Sequence, residues 1–418
     1  MIVGNDMVFY SRFRGKEAFD KAVTVLFLLY CNVNVFAHFI VEMVGGFGNI
    51  IVIYLFALYF AFVYGEPVAK RKFKILYISL CVFLLIYILE MQFFYNQARF
   101  YNALGINFET HVWNLISFVP LSLCAVFIVQ KTTVEMVSWI RRIFICTLLI
   151  TLIPSLIMLV SDTTLAKQSA TGNGEYIPFL VNYSIVYGLS IIVPYFFFSS
   201  DSKHRLCRYA VGLTAIVCIC MSSFFIAIMT TFLAVFICLI LRVKNKVFRH
   251  GLMFLSVASF FVFLYTDAAY NVLTRISLNL SSGLIKTRVV QLAAFLNTGV
   301  TGDTTARIDL YKGAFKLVLK HPIIGNILFN SEAKLSGHSE FLDVWGGCGA
   351  IAIMSLLSFF TSIYNMNKSF FEKGNASAAY KASTLAFLFV SLLNPIFSSP
   401  TICAFWVLAP LLLAPSER

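Results

Sequence analysis

A proton-accepting histidine and a set of guanidinium groups are the chemical resources of this chain. They are gathered along one long polar stretch, about residues 267 to 338, and at its end. The stretch carries Arg275, Lys286, Arg288, Arg307, Lys312, Lys316, Lys320 and Lys334, against Asp267, Asp303, Asp309 and Glu332. It runs into Gly337-His338-Ser339-Glu340-Phe341-Leu342-Asp343. Guanidinium forks meet phosphate or carboxylate groups bidentately, so Arg288 and Arg307, with Arg275 behind them, are the first choices for holding an anion. An imidazole with a pKa of about 6.5 can take a proton from a hydroxyl near neutral pH, which makes His338 the candidate base. Each residue also has a plainer use. A histidine beside a helix start can serve as a cap, the lysines suit a solvated helix face, and Arg307 could simply begin its helix, although a cation is disfavoured at that end. Glu340 and Asp343 lie three apart, so they share a helix face and suit capping the helix or holding His338 better than nucleophilic attack.

The elements that must position these groups are membrane helices. The chain is 60% hydrophobic and 12% charged, with 44 Phe in 418 residues, whereas a soluble domain carries about twice that charged fraction. A Lys, Arg or Asp at mid-bilayer costs roughly 2.5 to 3.5 kcal/mol, so uncharged runs mark the spans. About twelve are predicted, near 22–41, 46–65, 75–93, 112–130, 143–161, 178–199, 209–223, 225–241, 251–267, 340–363, 382–397 and 400–415. The uncharged runs 209–241 and 382–416 each suit two short helices or one span with a re-entrant piece, and are divided here at Ser222-Ser223 and at the Pro395 to Pro400 segment. Three regions follow: 1–266 with nine spans, the polar loop 267–338, and 339–418 with three more. The fold class expected is an all-α polytopic membrane protein.

Clusters at Lys70 to Lys74, Lys131 to Arg142, Lys203 to Arg208 and Arg242 to Arg249 fall on one side, which the positive-inside rule makes cytoplasmic. The opposite loops 94–111 and 162–177 hold only Arg99 and Lys167 as cations. The long basic loop therefore faces outward, and both termini face the cytoplasm. The net charge of +13 is explained mostly by anchored helix ends, so a nucleic-acid partner is not implied. No cleavable leader is expected, since about twenty polar-rich residues precede the first membrane segment.

Two amphipathic helices are expected inside the loop. From Arg307 to Lys320, apolar residues form a broad stripe opposite Lys312, Lys316 and Lys320, a pattern that suits a helix lying in the membrane interface. His321-Pro322 should stop it and Gly325 should turn the chain back. The second, Ile285 to Asn297, carries Lys286 and Arg288 in its first turn, where a helix N-terminus favours anions. The ten cysteines sit in or beside the expected spans and imply no disulfide framework. With no Asp-x-Asp in the chain, a metal bridging a diphosphate has no evident ligand pair, so neither metal nor other cofactor is expected.

The run Arg307-Ile-Asp-Leu-Tyr-Lys-Gly-Ala-Phe, then His321-Pro322, Gly325, Gly337-His338-Ser-Glu-Phe-Leu-Asp, and Gly347, Gly349 and Ile351, resembles the signature of the O-antigen polymerase and ligase superfamily. It is most similar to a Wzy-type polymerase. The likeness is specific over roughly 300 to 352 and coarse elsewhere. It implies a GT-C-like bundle of about twelve spans in the bacterial inner membrane with one large periplasmic loop. The implied enzyme is a membrane glycosyltransferase of inverting type, moving an undecaprenyl-diphosphate-linked glycan onto a sugar hydroxyl of another lipid-linked repeat unit in lipopolysaccharide biosynthesis. Its implied partners are those lipid-linked repeats, membrane lipid and a chain-length regulator protein.

On that reading His338, Arg307 and Arg288 are catalytic, and Arg275, Lys312, Arg99 and Glu340 bind substrate. The arginines would meet charge growing on the diphosphate as the glycosidic bond breaks, and His338 would take the acceptor proton or orient the sugar. Members of the family often carry a Ser-Arg pair between the two short middle helices. Here that stretch reads Met221-Ser222-Ser223-Phe224-Phe225, which leaves the clamp to the loop and Arg99. Tyr265, Tyr270, Tyr311, Phe329, Phe341 and Trp345 could stack on sugars or simply pack. Two alternatives stand: a ligase to lipid A core, separated by acceptor identity, and a lipid-linked glycan flippase. The flippase is disfavoured because its usual mark is paired ionisable residues inside the spans, whereas Glu42 and Glu90 lie near helix ends and His38 is nearly alone.

Overall fold

Breaks in an otherwise helical chain fall where the backbone cannot continue, and they define the architecture. The computed structural model describes residues 3–63, 71–95, 120–129, 134–170, 176–198, 205–265, 267–280, 284–298, 302–326, 338–368, 375–396 and 399–413. Among these residues every regular element is a helix. In chain order they are α1 (Val3–Asn32), α2 (Asn34–Val63), α3 (Arg71–Tyr95), α4 (Pro120–Val129), α5 (Val134–Ser161), the short α6 (Leu165–Ala170), α7 (Tyr183–Phe198), α8 (Arg205–Met221), α9 (Phe225–Leu241) and α10 (Lys246–Tyr265). Then follow α11 (Asp267–Asn279), α12 (Leu284–Thr298), α13 (Gly302–Lys320), α14 (Glu340–Lys368), α15 (Asn375–Leu393) and α16 (Pro400–Leu413). Leu-, Ile- and Phe-rich sequence selects helices because backbone groups out of reach of water must be satisfied within the segment.

The long uncharged runs divide where the sequence places the breaks. α8 ends at Met221, Ser223 takes a left-handed backbone (φ 60°), and α9 resumes at Phe225. Likewise α15 stops at Leu393 and α16 starts on Pro400, a residue suited to a first helical turn. α2 is bent at Gly45 (φ 70°) and α14 at Gly349 (φ 80°), and the Ala18–Asn32 and Val35–Gly45 segments meet at 98°. Three described helices, Ser138–Ser161, Glu340–Lys368 and Ala376–Leu393, are long and apolar enough to cross a membrane, or four spans if that bent pair is one. α7, α9 and the helix Ile50–Phe60 are equally apolar but shorter.

The core centres on α7, whose residues Ile185 to Phe196 are all buried between α8, α9, α15 and α16. Gly188 lets Phe405 of α16 lie directly on the α7 backbone, since an added Cβ would fall 2.8 Å from its Cε2. Phe360, Phe387 and Trp406 join α14, α15 and α16: the Phe387 and Trp406 rings stack at 4.5 Å, Phe360 meets both edge-on, and the indole N–H donates to Thr384 Oγ1 at 3.2 Å. The buried Asn32 ties α1 to α5, donating from Nδ2 to Thr147 Oγ1 (2.9 Å) while its carbonyl accepts from Thr151 Oγ1 (2.9 Å). α3 lies along α14, where Ser79 and Ser358 exchange a 2.8 Å hydrogen bond.

Candidate functional site

The described part of the polar region holds three successive helices, which pack in series and onto the next span: α11 on α12, α12 on α13, and α13 on α14. The two helices expected within it are present, each with small shifts in boundary. A third, α11, was not foreseen. Its apolar residues Val272, Ile276 and Leu278 stay exposed, so no clean buried stripe marked it in the sequence, and Asp267 at its N-terminus is the residue that favours its start. Arg275 lies exposed on α11, its carbonyl accepting from Asn279 Nδ2 at 3.0 Å. Arg288 is the fifth residue of α12 and Arg307 the sixth of α13. Arg307 therefore does not begin its helix, because the helix starts at Gly302 with Asp303 in the favourable position for an acid. The side chains of Arg288 and Arg307, and the whole of Arg99, Phe329 and Lys334, lie outside the described residues.

The stripe on α13 divides in two. Ala314, Leu317 and Val318 are buried, whereas Phe315 and Leu319 are exposed together with Lys312, Lys316 and Lys320. Lys312 Nζ lies 3.6 Å from Asp309 Oδ1, with both side chains about two-thirds exposed, a pair of small energetic weight. Tyr311 donates its hydroxyl to the Leu393 carbonyl at 3.0 Å, tethering α13 to the end of α15.

After Lys320 the chain makes a compact hairpin, His321 to Asn326, seated in the break of α14. Asn326 N–H donates to the Gly347 carbonyl (2.8 Å), while the Pro322 carbonyl accepts from Ala350 N–H (2.9 Å) and the Trp345 indole (3.1 Å). Gly325 (φ 73°) and Gly349 (φ 80°) face each other there: a Cβ on either would stand 2.5 Å from the other's nitrogen. Gly346 is closed over by the α13 backbone, with the Ala314 carbonyl 3.3 Å from where its Cβ would be. Pro322 and Gly325 were expected only to stop a helix and turn the chain. Their partnership with Gly347 and Gly349, some twenty-five residues further on, joins two segments in a way that sequence spacing does not reveal.

His338 is half-buried immediately before α14. Ser339 caps that helix: it is buried, its Oγ accepts from Leu342 N–H (3.3 Å) and its carbonyl from Asp343 N–H (2.8 Å). The available signal was a serine directly ahead of the apolar periodic run. Glu340 is 1% exposed in the first turn, where the helix N-terminus favours a carboxylate. Phe341 and Trp345 meet edge-to-face at 6.3 Å, so these two aromatics pack on one another.

Away from this region, His38 has one partner four residues along its own helix and another from a distant segment. Its Nε2 lies 3.0 Å from Glu42 Oε1, and its ring stacks on Tyr176 at 3.6 Å. Burial, and then the Glu42 carboxylate, raise the Tyr176 phenol. In the same loop Asp162 is held below the ordinary carboxylate range by the backbone N–H and then the hydroxyl of Thr164, at 2.8 and 2.7 Å.

Compared with known proteins, the chain matches no family model and no curated sequence.

Proposed function

We propose that this chain is a polytopic membrane glycosyltransferase of the O-antigen polymerase type, extending a surface polysaccharide at the periplasmic face of a bacterial inner membrane. The observation that carries the reading is the junction of α13 and α14. Pro322, Gly325, Gly347 and Gly349, which belong to the run that resembles the family signature, lie where the Arg307 helix is seated on the helix that His338 precedes. A cationic helix held by backbone hydrogen bonds to the helix that a histidine precedes suits the transfer of a glycan from undecaprenyl diphosphate. Guanidinium groups meet the negative charge that grows on the leaving diphosphate, and an imidazole accepts the proton of the attacking sugar hydroxyl. Arg307, Arg288 and His338 take these roles, with Arg275, Lys312, Arg99 and Glu340 binding substrate and no metal needed.

The proposed arrangement has about twelve spans with the 267–338 region outward. It is supported by contacts that join segments on one side of that topology. Ser223 Oγ lies 3.3 Å from the Thr163 carbonyl and Tyr311 reaches Leu393, all at outward ends, whereas the Arg242 guanidinium lies 4.9 Å over the Phe198 ring at inward ends.

The test is the surface glycan ladder on a gel, from cells lacking the gene and complemented with wild type, His338→Ala or Arg307→Ala at matched expression. Loss of the ladder with one repeat unit still attached to core is the expected result. Loss of every attached unit would instead mean a ligase or flippase, and an unchanged ladder from both variants would remove the chemistry from this region.

A further inference from the structure

Among its described side chains, helix α13 presents one buried face and two exposed ones. At about 100° per residue, Ala314, Leu317 and Val318 share the side buried against α14. Lys312, Lys316 and Lys320 form a row on the far side. Phe315 and Leu319, exposed by 50% and 66%, fill the edge between, and Ile323 and Ile324, exposed by 62% and 43%, carry apolar surface into the hairpin. An apolar edge continuing onto a loop and bordered by lysines at four-residue spacing is the pattern of a segment resting on an anionic lipid surface. Lysine stems lie along apolar surface while their ammonium groups reach phosphates.

Two neighbours mark the depth at which this surface would sit. The Trp345 indole donates to the Pro322 carbonyl directly before Ile323, and the Tyr311 hydroxyl ends on Leu393, where the apolar helix α15 stops. Tryptophan and tyrosine concentrate at the boundary between hydrocarbon and water, the level an interfacial helix occupies.

We infer that the Phe315–Leu319–Ile323–Ile324 edge of α13 and its hairpin docks on the surface of the bilayer that holds the protein, with Lys312, Lys316 and Lys320 recognising anionic lipid headgroups. The contact would hold α13 at a fixed depth and keep the α13–α14 junction at the membrane surface. It stands without the glycosyltransferase reading, because it concerns lipid contact and no reaction step.

Amide hydrogen exchange of the full-length protein in nanodiscs tests it, with phosphatidylcholine alone compared with a mixture containing phosphatidylglycerol. Peptides over 311–324 should exchange roughly tenfold more slowly in the anionic discs. K312Q/K316Q/K320Q should lose that dependence on lipid charge, and F315S/L319S should lose protection in both lipids, while peptides over 350–368 stay unchanged in every case as evidence of intact folding. Exchange over 311–324 that is the same in both discs overturns the inference, as does a charge dependence that survives the triple lysine variant.

Discussion

Gly325 and Gly349 occupy positions where a side chain would meet backbone, and backbone cannot rotate aside. Gly45 offers an internal control, because it has the same left-handed φ (70°) but open space where a Cβ would point. Gly45→Ala should therefore cost the conformational strain alone, about 1–3 kcal/mol for a backbone at φ 70° and ψ 173°. Gly349→Ala and Gly325→Ala add the loss of the hairpin contact and should cost more than about 3 kcal/mol. Unfolding in detergent micelles measures the difference, and equal losses at all three positions would mean the junction is not tight. The glycine results bear on the site as well, since the same contact seats the Arg307 helix beside the segment that His338 precedes. A variant that folds but shortens the glycan ladder would connect junction geometry to activity.

At the scale of elements, one hydroxyl fastens the loop that leads into α7 to a long helix. Ser155 follows Pro154 in α5. The Ser155 Oγ lies 2.7 Å from the Thr151 carbonyl and 2.8 Å from the Phe179 carbonyl, and accepts from Val181 N–H at 2.8 Å. Phe179 holds a left-handed φ of 61° within this loop. Ser155→Ala would strand buried backbone groups and should lower stability by about 1–3 kcal/mol, read as a fall in the unfolding midpoint. Faster exchange confined to 176–182 would accompany it. An unchanged midpoint and unchanged exchange would show that the loop is held by something else. Asp162 contributes in the same region: because its carboxyl titrates below the usual range, its turn is stabilised at pH values above about 4 and loses that contribution as the pH falls through the lowered value.

At the scale of the molecule, the helix order and the positions of the cations give the proposal its sidedness. Single reporters placed near 203, 245 and 371 should be accessible from the cytoplasm, and reporters near 167 and 332 from the outside, in an impermeant-reagent labelling experiment on whole cells. Labelling of 332 from the cytoplasmic side would overturn both the outward loop and the chemistry proposed for it.

Sequence alone determined that the chain is helical and apolar, and where its long uncharged runs divide: Ser222-Ser223 and the segment before Pro400 break them because local backbone chemistry is written in adjacent residues. It also located two of the three described polar-region helices, the clearer being 307–320, where Lys312, Lys316 and Lys320 repeat with the helical period. Only the tertiary structure decided which half of the α13 stripe is buried, that the His38 ring stacks on Tyr176, and that Gly325 and Gly349 face each other. These facts depend on which surfaces meet, and meeting is governed by packing between segments far apart in the chain, to which periodicity and propensity carry no signal.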